Sequence, residues 1–513
     1  MSNDLQAAQR QGMAIAYWAR NRPDHPAVIS PAGNRTFARL NGNGNRLARA
    51  LADHGLRAGD HVAILCSNRP EYAEVYAAVF RSGMKIIPIN WHLNTDDITY
   101  IIDNSDAKAF IADSTLDAPL AAIRGAINVS LALSIGPATA GYNDYHQTIE
   151  QYSGEDIPSP SLGDRMFYTS GTTGKPKGVI KTFPPTSTIG IGFIPGDSVV
   201  LCTGPFYHAA PFSGTLARPL DAGVTIVIME RFDAETTLQL IEKHKITHMH
   251  MVATMFHRLL ALPEEVRERY DVSSLVRVNH GAAPTPIPVK RAMLDWWGPV
   301  IYEYYASTEG PGATISPEEW LRKPGSVGKP PAGTAFILDD EGRELHQGET
   351  GTVYHRPSGG TFYYYKDDAK RQAAFQGDRY TVGDHGYFDE DGYLFLTGRS
   401  SEVIISGGVN IYPAEIDGVL LTHPAIADGA TVGVPNQEFG EEVKGVVELR
   451  PGFSPSPELA TAIVGYCRER LAHYKCPRSI DFIQALPRSE AGKVYRNQVR
   501  APYWTDHSTA SRH

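Results

Sequence analysis

Cysteine is scarce in this chain, with four in 513 residues. Cys66, Cys202, Cys467 and Cys476 stand far apart in apolar or mixed surroundings, without a Cys-x-x-Cys pair or a Cys/His cluster. That spacing offers neither a zinc site nor a disulfide framework. The four read as reduced thiols packed as small hydrophobes. Long apolar runs are also missing: no stretch reaches the ~18 residues of a membrane-spanning helix. The opening MSNDLQAAQRQGMAIAYWARNRP has no basic segment leading into an apolar core, so it does not read as a signal peptide, and the expected location is cytoplasmic. Positive charge is not in excess. Lys and Arg number 48 against 57 Asp and Glu, a net charge of -9. A basic coat for nucleic acid is thereby excluded, though small basic pockets for phosphates are not. Internal repeats and low-complexity segments are absent, and no sequence feature sets the oligomeric state.

What is present is ordinary soluble-protein composition, 42% hydrophobic and 20% charged, in a chain too long for one compact core. Residues 36–56 carry apolar positions at helical spacing and end at a glycine. HVAILCSN, KIIPIN and AKAFIAD follow as short apolar strands, separated by the helical patterns EYAEVYAAVFRSGM and DDITYIIDNS. Strands alternating with helices predict parallel, doubly wound α/β organisation. The same texture returns from 198 to 305 in DSVVLCTG, TIVIME, a helix near 234–244, THMHMVA, VRVNHGAA and VIYEYYA. From about 324 the chain changes to short strands with glycine and proline turns, predicting a smaller antiparallel β region. The expected fold is therefore a large N-terminal region of α/β subdomains with a β-rich subdomain, residues 1–398. A hinge at 399–401 leads to a small mobile α+β domain, 402–513, whose last dozen residues are expected to be disordered.

The most informative stretch is Phe167-Tyr-Thr-Ser-Gly-Thr-Thr-Gly-Lys-Pro-Lys-Gly178. Glycines let backbone N–H groups face an anion, hydroxyls add donors, and lysines add charge. Extended flanks, RMFYT and GVIKTF, make it a loop between two strands. A Walker A loop needs G-x-x-x-x-G-K-[ST] opening a helix. Here Gly171 and Gly174 are too close, and Pro176 follows Lys175. By composition alone, a flexible surface hairpin is the remaining alternative.

YTSGTTGKPKG resembles the signature of the adenylate-forming enzymes: acyl- and aryl-CoA synthetases, firefly luciferase and the adenylation domains of peptide synthetases. Further landmarks follow in that family's order: PFYHAAP (205–211), HGAAP (280–284), YYASTEG (304–310), YTVGDHGY (380–387), GRSSEVIISGGVNIYPAEID (398–417) and LPRSEAGKVYR (486–496). Seven ordered matches over about 330 positions make the resemblance specific, and it lies nearest the acyl-CoA synthetases.

The resemblance implies ATP, Mg²⁺ and coenzyme A as co-substrates or cofactors, and a small-molecule carboxylic acid as the group activated. Joining an anionic carboxylate to ATP is chiefly positioning and charge neutralisation. Thr169, Ser170, Gly171, Thr172, Thr173, Gly174 and Lys177 then form the clamp on the β- and γ-phosphates. Gly281, Ala282, Ala283 and Pro284 form a small-residue wall beside the adenine, against which Tyr305 lies. Thr308 meets the α-phosphate, and Glu309 holds Mg²⁺, a hard cation suited to carboxylate. Asp384 accepts from the ribose hydroxyls, and Arg399 also reaches the ribose. Lys493 neutralises charge as the acyl-adenylate forms. Ala306 departs from the glycine common in relatives, and Ser401 departs from the usual Asp or Lys at the pivot.

The acyl pocket implied by the resemblance runs from His208 along Ala209, Ala210, His250, Val252 and Met255. His208 lines and gates that pocket rather than moving a proton. Gly407 and Gly408 line the pantetheine tunnel. Phe439, Lys475 and Arg478 are weaker candidates for CoA, since packing and solvated charge account for them equally well. Two rival readings are an acyl transfer to a carrier protein and a non-catalytic nucleotide sensor. Retention of Glu309, Asp384 and Lys493 together favours catalysis.

Overall fold

A computed structural model of the chain describes residues 3–116, 118–169, 175–182, 192–283, 285–358, 360–399, 402–406, 409–488 and 494–504. Two parallel sheets dominate the first 320 or so residues. The first runs in the order Asn143–Asp144, Leu131–Ile135, Ala107–Asp113, His61–Leu65, Lys85–Pro88, Asp164–Arg165, with every pairing parallel. His61–Leu65 and Leu131–Ile135 are buried at every position, as a sheet covered on both faces requires. Two of the neighbouring helices begin on polar caps. Thr36 accepts from the Arg39 N–H ahead of Phe37–Asp53, and Asn94 from the Asp97 N–H ahead of Thr95–Asn104.

The second sheet has eight strands in the order Pro311–Ile315, Ile301–Ala306, Arg277–His280, His248–Met251, Val199–Cys202, Thr225–Ile228, Pro26–Ile29, Arg35–Thr36. Only the two edge pairings are antiparallel. The expected helix lies at Ala234–His244. The strand Pro26–Ile29 pairs with Thr225–Ile228, a partner about 200 residues away that the local pattern did not reveal. One core joins the two sheets. Val62 and Ile64 from the first and Val200 and Ile226 from the second share it with Tyr72, Phe206 and Phe212.

Phe167–Thr169 and Lys177–Lys181 pair antiparallel, with Lys177 opposite Thr169. The flanks of the glycine-rich segment are therefore paired strands, as their extended pattern predicts. A third strand, Phe362–Tyr364, adds to the hairpin's outer edge. The β-rich part is a separate antiparallel sheet in the order Ser326–Gly328, Leu394–Arg399, Arg379–Phe388, Gly351–His355, Ala335–Leu338. The C-terminal residues form a further sheet of Val409–Ile411, Ile404–Ser406, Gly440–Leu449 and Ile426–Asn436, with Ser479–Phe482 parallel to Gly440–Leu449. Helices Pro413–Leu420 and Pro457–Arg468 cover it, and Ile404, Ile416, Ile426, Val447 and Ile463 form its own core. All four cysteines are buried and free. Among the described residues, no helix is long and apolar enough to cross a membrane.

Candidate active site

The carboxyl ends of the second sheet's strands converge on one region, where open α/β sheets bind ligands. The strand Arg277–His280 runs straight into Gly281. A Cβ there would lie 2.6 Å from the Tyr304 carbonyl oxygen and 2.7 Å from its ring, so no larger residue fits. Ala282 follows in the left-handed region at φ +67°, a conformation a non-glycine residue keeps only when its surroundings demand it. Ala282 is exposed and Ala283 half-buried. Pro284 lies outside the described residues.

The antiparallel sheet brings Asp384 up to Tyr305, the residue after Tyr304. The Tyr305 phenol donates to Asp384 Oδ2 at 2.7 Å, and Arg399 Nε donates to Asp384 Oδ1 at 3.0 Å. Asp384 and Arg399 are cross-strand partners, so the ladder itself sets their approach. His355 Nε2 lies 3.2 Å from the same phenol oxygen. Burial holds the His355 imidazolium down to about 4, so the ring is neutral at neutral pH.

Thr308 and Glu309 sit in the turn between Ile301–Ala306 and Pro311–Ile315. The Ser307 hydroxyl accepts from the Glu309 and Gly310 N–H groups, both at 3.1 Å, which fixes that turn. Tyr364 of the hairpin's third strand donates to Glu309 Oε1 at 2.9 Å. A Cβ on Gly310 would meet the Tyr380 hydroxyl at 2.0 Å. Lys177 reaches Asp367 Oδ2 at 3.0 Å. The Lys181 ammonium is pushed down to about 8 by burial and by the Arg165 charge, against the pull of Glu309. Ser170, Gly171, Thr172, Thr173 and Gly174 lie outside the described residues.

His208 precedes the short helix Ala209–Pro211, which continues as a π-helical run, Phe212–Ala217. Such runs are rare and recur at functional sites. Burial pushes His208 down to about 4. His250 is driven to about the same value, first by burial and then by His208 nearby. His250 Nε2 lies 2.8 Å from the Tyr304 hydroxyl. Val252 and Met255 are buried beyond it, while Ala209 and Ala210 are half-buried. Neutral imidazoles and small or apolar side chains therefore stand together here.

In the C-terminal sheet, a cavity of about 210 Å³ is lined by Ser406, Val409, Phe439, Tyr474 and Arg478. The Arg478 guanidinium stands 4.6 Å from the Phe439 ring centroid. These two CoA candidates are brought together, whereas Lys475 is held on Glu415 at 2.7 Å. Ser401, Gly407, Gly408 and Lys493 lie outside the described residues. Sequence reasoning did not single out Tyr304, Tyr364 or His355. Tyr304 stands in the YYASTEG landmark, whereas Tyr364 and His355 belong to no motif.

A hairpin rich in glycine and hydroxyls, a small-residue wall, and a carboxylate held between a phenol and an arginine define an adenylate-forming enzyme. The chain belongs to the AMP-binding enzyme family, which it matches over residues 15–365, and it matches the AMP-binding enzyme C-terminal domain over residues 415–493. It is 32% identical to a 2-succinylbenzoate–CoA ligase of Bacillus licheniformis over 94% of this chain and 98% of that protein. A fatty acid–[acyl-carrier-protein] ligase of Streptomyces coeruleorubidus is 29% identical over 96% of both chains. Among solved structures, the anthranilate CoA ligase AuaEII in complex with anthranoyl-AMP superposes with a TM-score of 0.84 at 26% identity, covering 96% of this chain and 97% of that one.

Proposed function

We propose that the protein is an ATP-dependent acid:CoA ligase that activates a hydrophobic aryl or alkyl carboxylic acid. The observation that carries this reading is the Tyr305–Asp384–Arg399 cluster, in which Tyr305 follows Tyr304, the residue packed on Gly281, on the strand that leads into the turn bearing Glu309. Asp384 is a buried carboxylate with its oxygens already oriented, which suits a bidentate grip on two ribose hydroxyls. In the first step a carboxylate oxygen attacks the α-phosphorus, the bond to the β-phosphate oxygen breaks, and pyrophosphate leaves. Thr308 donates to the α-phosphate, and Lys493 neutralises the charge shared by carboxylate and phosphate. In the second step the CoA thiolate attacks the acyl carbonyl carbon and AMP leaves.

Glu309 suits a magnesium ion: a single half-buried carboxylate, oriented by the Tyr364 hydroxyl, supplies one hard oxygen. When bound, Mg²⁺ would neutralise phosphate charge. His208, neutral through burial, lines the acyl slot with His250, Val252 and Met255 and leaves the acyl group in apolar surroundings. Relatives that act on aryl acids support an aryl substrate, and a relative that acts on fatty acids keeps alkyl acids in the panel. That same relative favours a second reading, transfer to a carrier protein. Residues 1–398 would hold the nucleotide and acid, with 402–513 turning about Ser401 between the steps and presenting Gly407, Gly408, Phe439 and Arg478 to CoA.

Pyrophosphate release with Mg·ATP, over a panel of aryl, fatty and ring-bearing acids, tests this with and without CoA or a phosphopantetheinylated carrier. Acid-dependent release with a thioester formed on CoA is the expected result. A thioester formed only on the carrier selects the second reading. Adenylation undiminished in Lys493→Ala would overturn the catalytic assignment.

A further inference from the structure

Beside Glu309 stands a lysine that no motif contains. Lys370 lies in the first turn of the helix Asp368–Ala374, whose cap, Asp367, accepts from the Lys370 N–H at 3.0 Å. The other oxygen of Asp367 takes the Lys177 ammonium at 3.0 Å. One carboxylate therefore ties the hairpin lysine to the helix that carries Lys370. The Lys370 ammonium sits 4.9 Å from the Tyr364 ring centroid, and the hydroxyl of that same tyrosine holds Glu309.

The ladder explains this convergence. Tyr364 is directly opposite Val179, so Lys177, two residues earlier on the same strand, shares a face with Val179. The side chains of Lys177 and Lys370 meet, and burial together with the Lys177 charge lowers the Lys370 pKa. Two ammonium groups in contact repel. Asp367 serves both but can neutralise only one, and Glu309 is the carboxylate assigned to magnesium. The nearby lysines are engaged elsewhere. Lys366 pairs with Asp106 at 2.7 Å, and Lys175 stands 4.7 Å from the Tyr100 ring centroid. A multiply charged anion with several oxygens is the ligand that relieves the Lys177–Lys370 contact.

Resting on the ligase reading above, we propose that Lys370 is a pyrophosphate-contacting residue of the adenylation step. Its ammonium and that of Lys177 bracket the β- and γ-phosphates and hold the departing pyrophosphate as the bond to the α-phosphorus breaks.

Lys370→Ala, Lys370→Arg and the neighbouring control Lys366→Ala test the assignment. Calorimetric binding of the magnesium complex of α,β-methylene-ATP needs no acid, so it reads the site even if the substrate panel is silent. Affinity should fall about tenfold or more in Lys370→Ala, as for loss of one charge-assisted contact, recover in part in Lys370→Arg, and stay at the wild-type value in Lys366→Ala. With an active acid, the KM for pyrophosphate in ATP synthesis from isolated acyl-AMP should rise by a similar factor. Thioester formation from acyl-AMP and CoA should stay within about twofold, because that step carries no pyrophosphate. Unchanged nucleotide affinity in Lys370→Ala, or equal losses in both half-reactions, would overturn the proposal. Wild-type protein that binds the analogue but adenylates no acid would count against the ligase reading alone.

Discussion

The Tyr305 phenol and the Asp384 carboxylate are joined by a 2.7 Å hydrogen bond that links the eight-stranded sheet to the antiparallel one. Arg399 occupies the other carboxylate oxygen, so Asp384 is oriented from both sides. Tyr305→Phe removes one of the two constraints while keeping the ring. The KM for ATP is expected to rise about tenfold, the size of one hydrogen bond to a charged group, with the thioester step unaltered. A steady-state ATP titration that gave the wild-type KM would show that Asp384 needs no such support.

Lys290 and Glu303 form a buried pair at 2.6 Å, and the Lys290 ammonium lies 4.7 Å from the Trp320 ring centroid. Burial lowers the lysine pKa and raises the glutamate pKa, each partner holding the other ionised. Lys290→Met strands Glu303 and is expected to cost about 3–5 kcal/mol. The double variant Lys290→Met/Glu303→Leu should recover much of that loss. Denaturant melts of the three proteins decide it, and equal destabilisation in the single and double variants would refute the pairing argument.

Gly281→Ala brings a methyl group to 2.6 Å from the Tyr304 carbonyl oxygen. Backbone cannot yield as a flexible side chain can, so about 1–3 kcal/mol of stability should go, along with nucleotide affinity. A melting curve and an ATP titration check both, and a wild-type profile in each would contradict the close approach.

His250 and His355 are buried, with pKa values pushed down to about 4 from an ordinary 6.5. Between those values the unfolded chain takes up protons that the folded one refuses, so stability falls as pH drops from about 6.5 to about 4 and is flat above that window. Each ring contributes up to about 3 kcal/mol at full effect. His250→Gln should therefore show a shallower fall of Tm with pH than wild type, and parallel curves would rule His250 out as a source.

Arg478 stands over Phe439 at the C-terminal cavity. Arg478→Ala should raise the KM for CoA several-fold, more at low salt than at high, and leave pyrophosphate release unchanged. An unaltered CoA titration would remove this cavity from the second half-reaction.

Much of the fold was legible because its signals are local. Short strands such as His61–Leu65 and Ala107–Asp113 are mostly apolar and buried, and the helices Phe37–Asp53 and Thr95–Asn104 that precede them begin on Thr36 and Asn94. The hairpin at residues 167–181 was legible because the glycines, hydroxyls and lysines of its loop are contiguous and its flanks are extended. Other parts depend on distance across the chain. Nothing near Pro26–Ile29 names Thr225–Ile228 as its partner, since parallel pairing is chosen by the whole sheet's packing.

By itself the amino-acid sequence determined the chemistry on offer: alternating strands and helices, a loop rich in glycine, hydroxyls and lysine, and separate carriers of Glu309, Asp384 and Lys493 in a fixed order. Tertiary structure alone decided which groups touch. It set Tyr305 on Asp384, paired His250 with Tyr304, and brought Lys370 from a helix with no motif against Lys177. The physical reason is that residue type and local spacing act over a few neighbours. Hydrogen bonds, ion pairs and burial are made between strands and helices whose adjacency arises only when the sheets close around a common core.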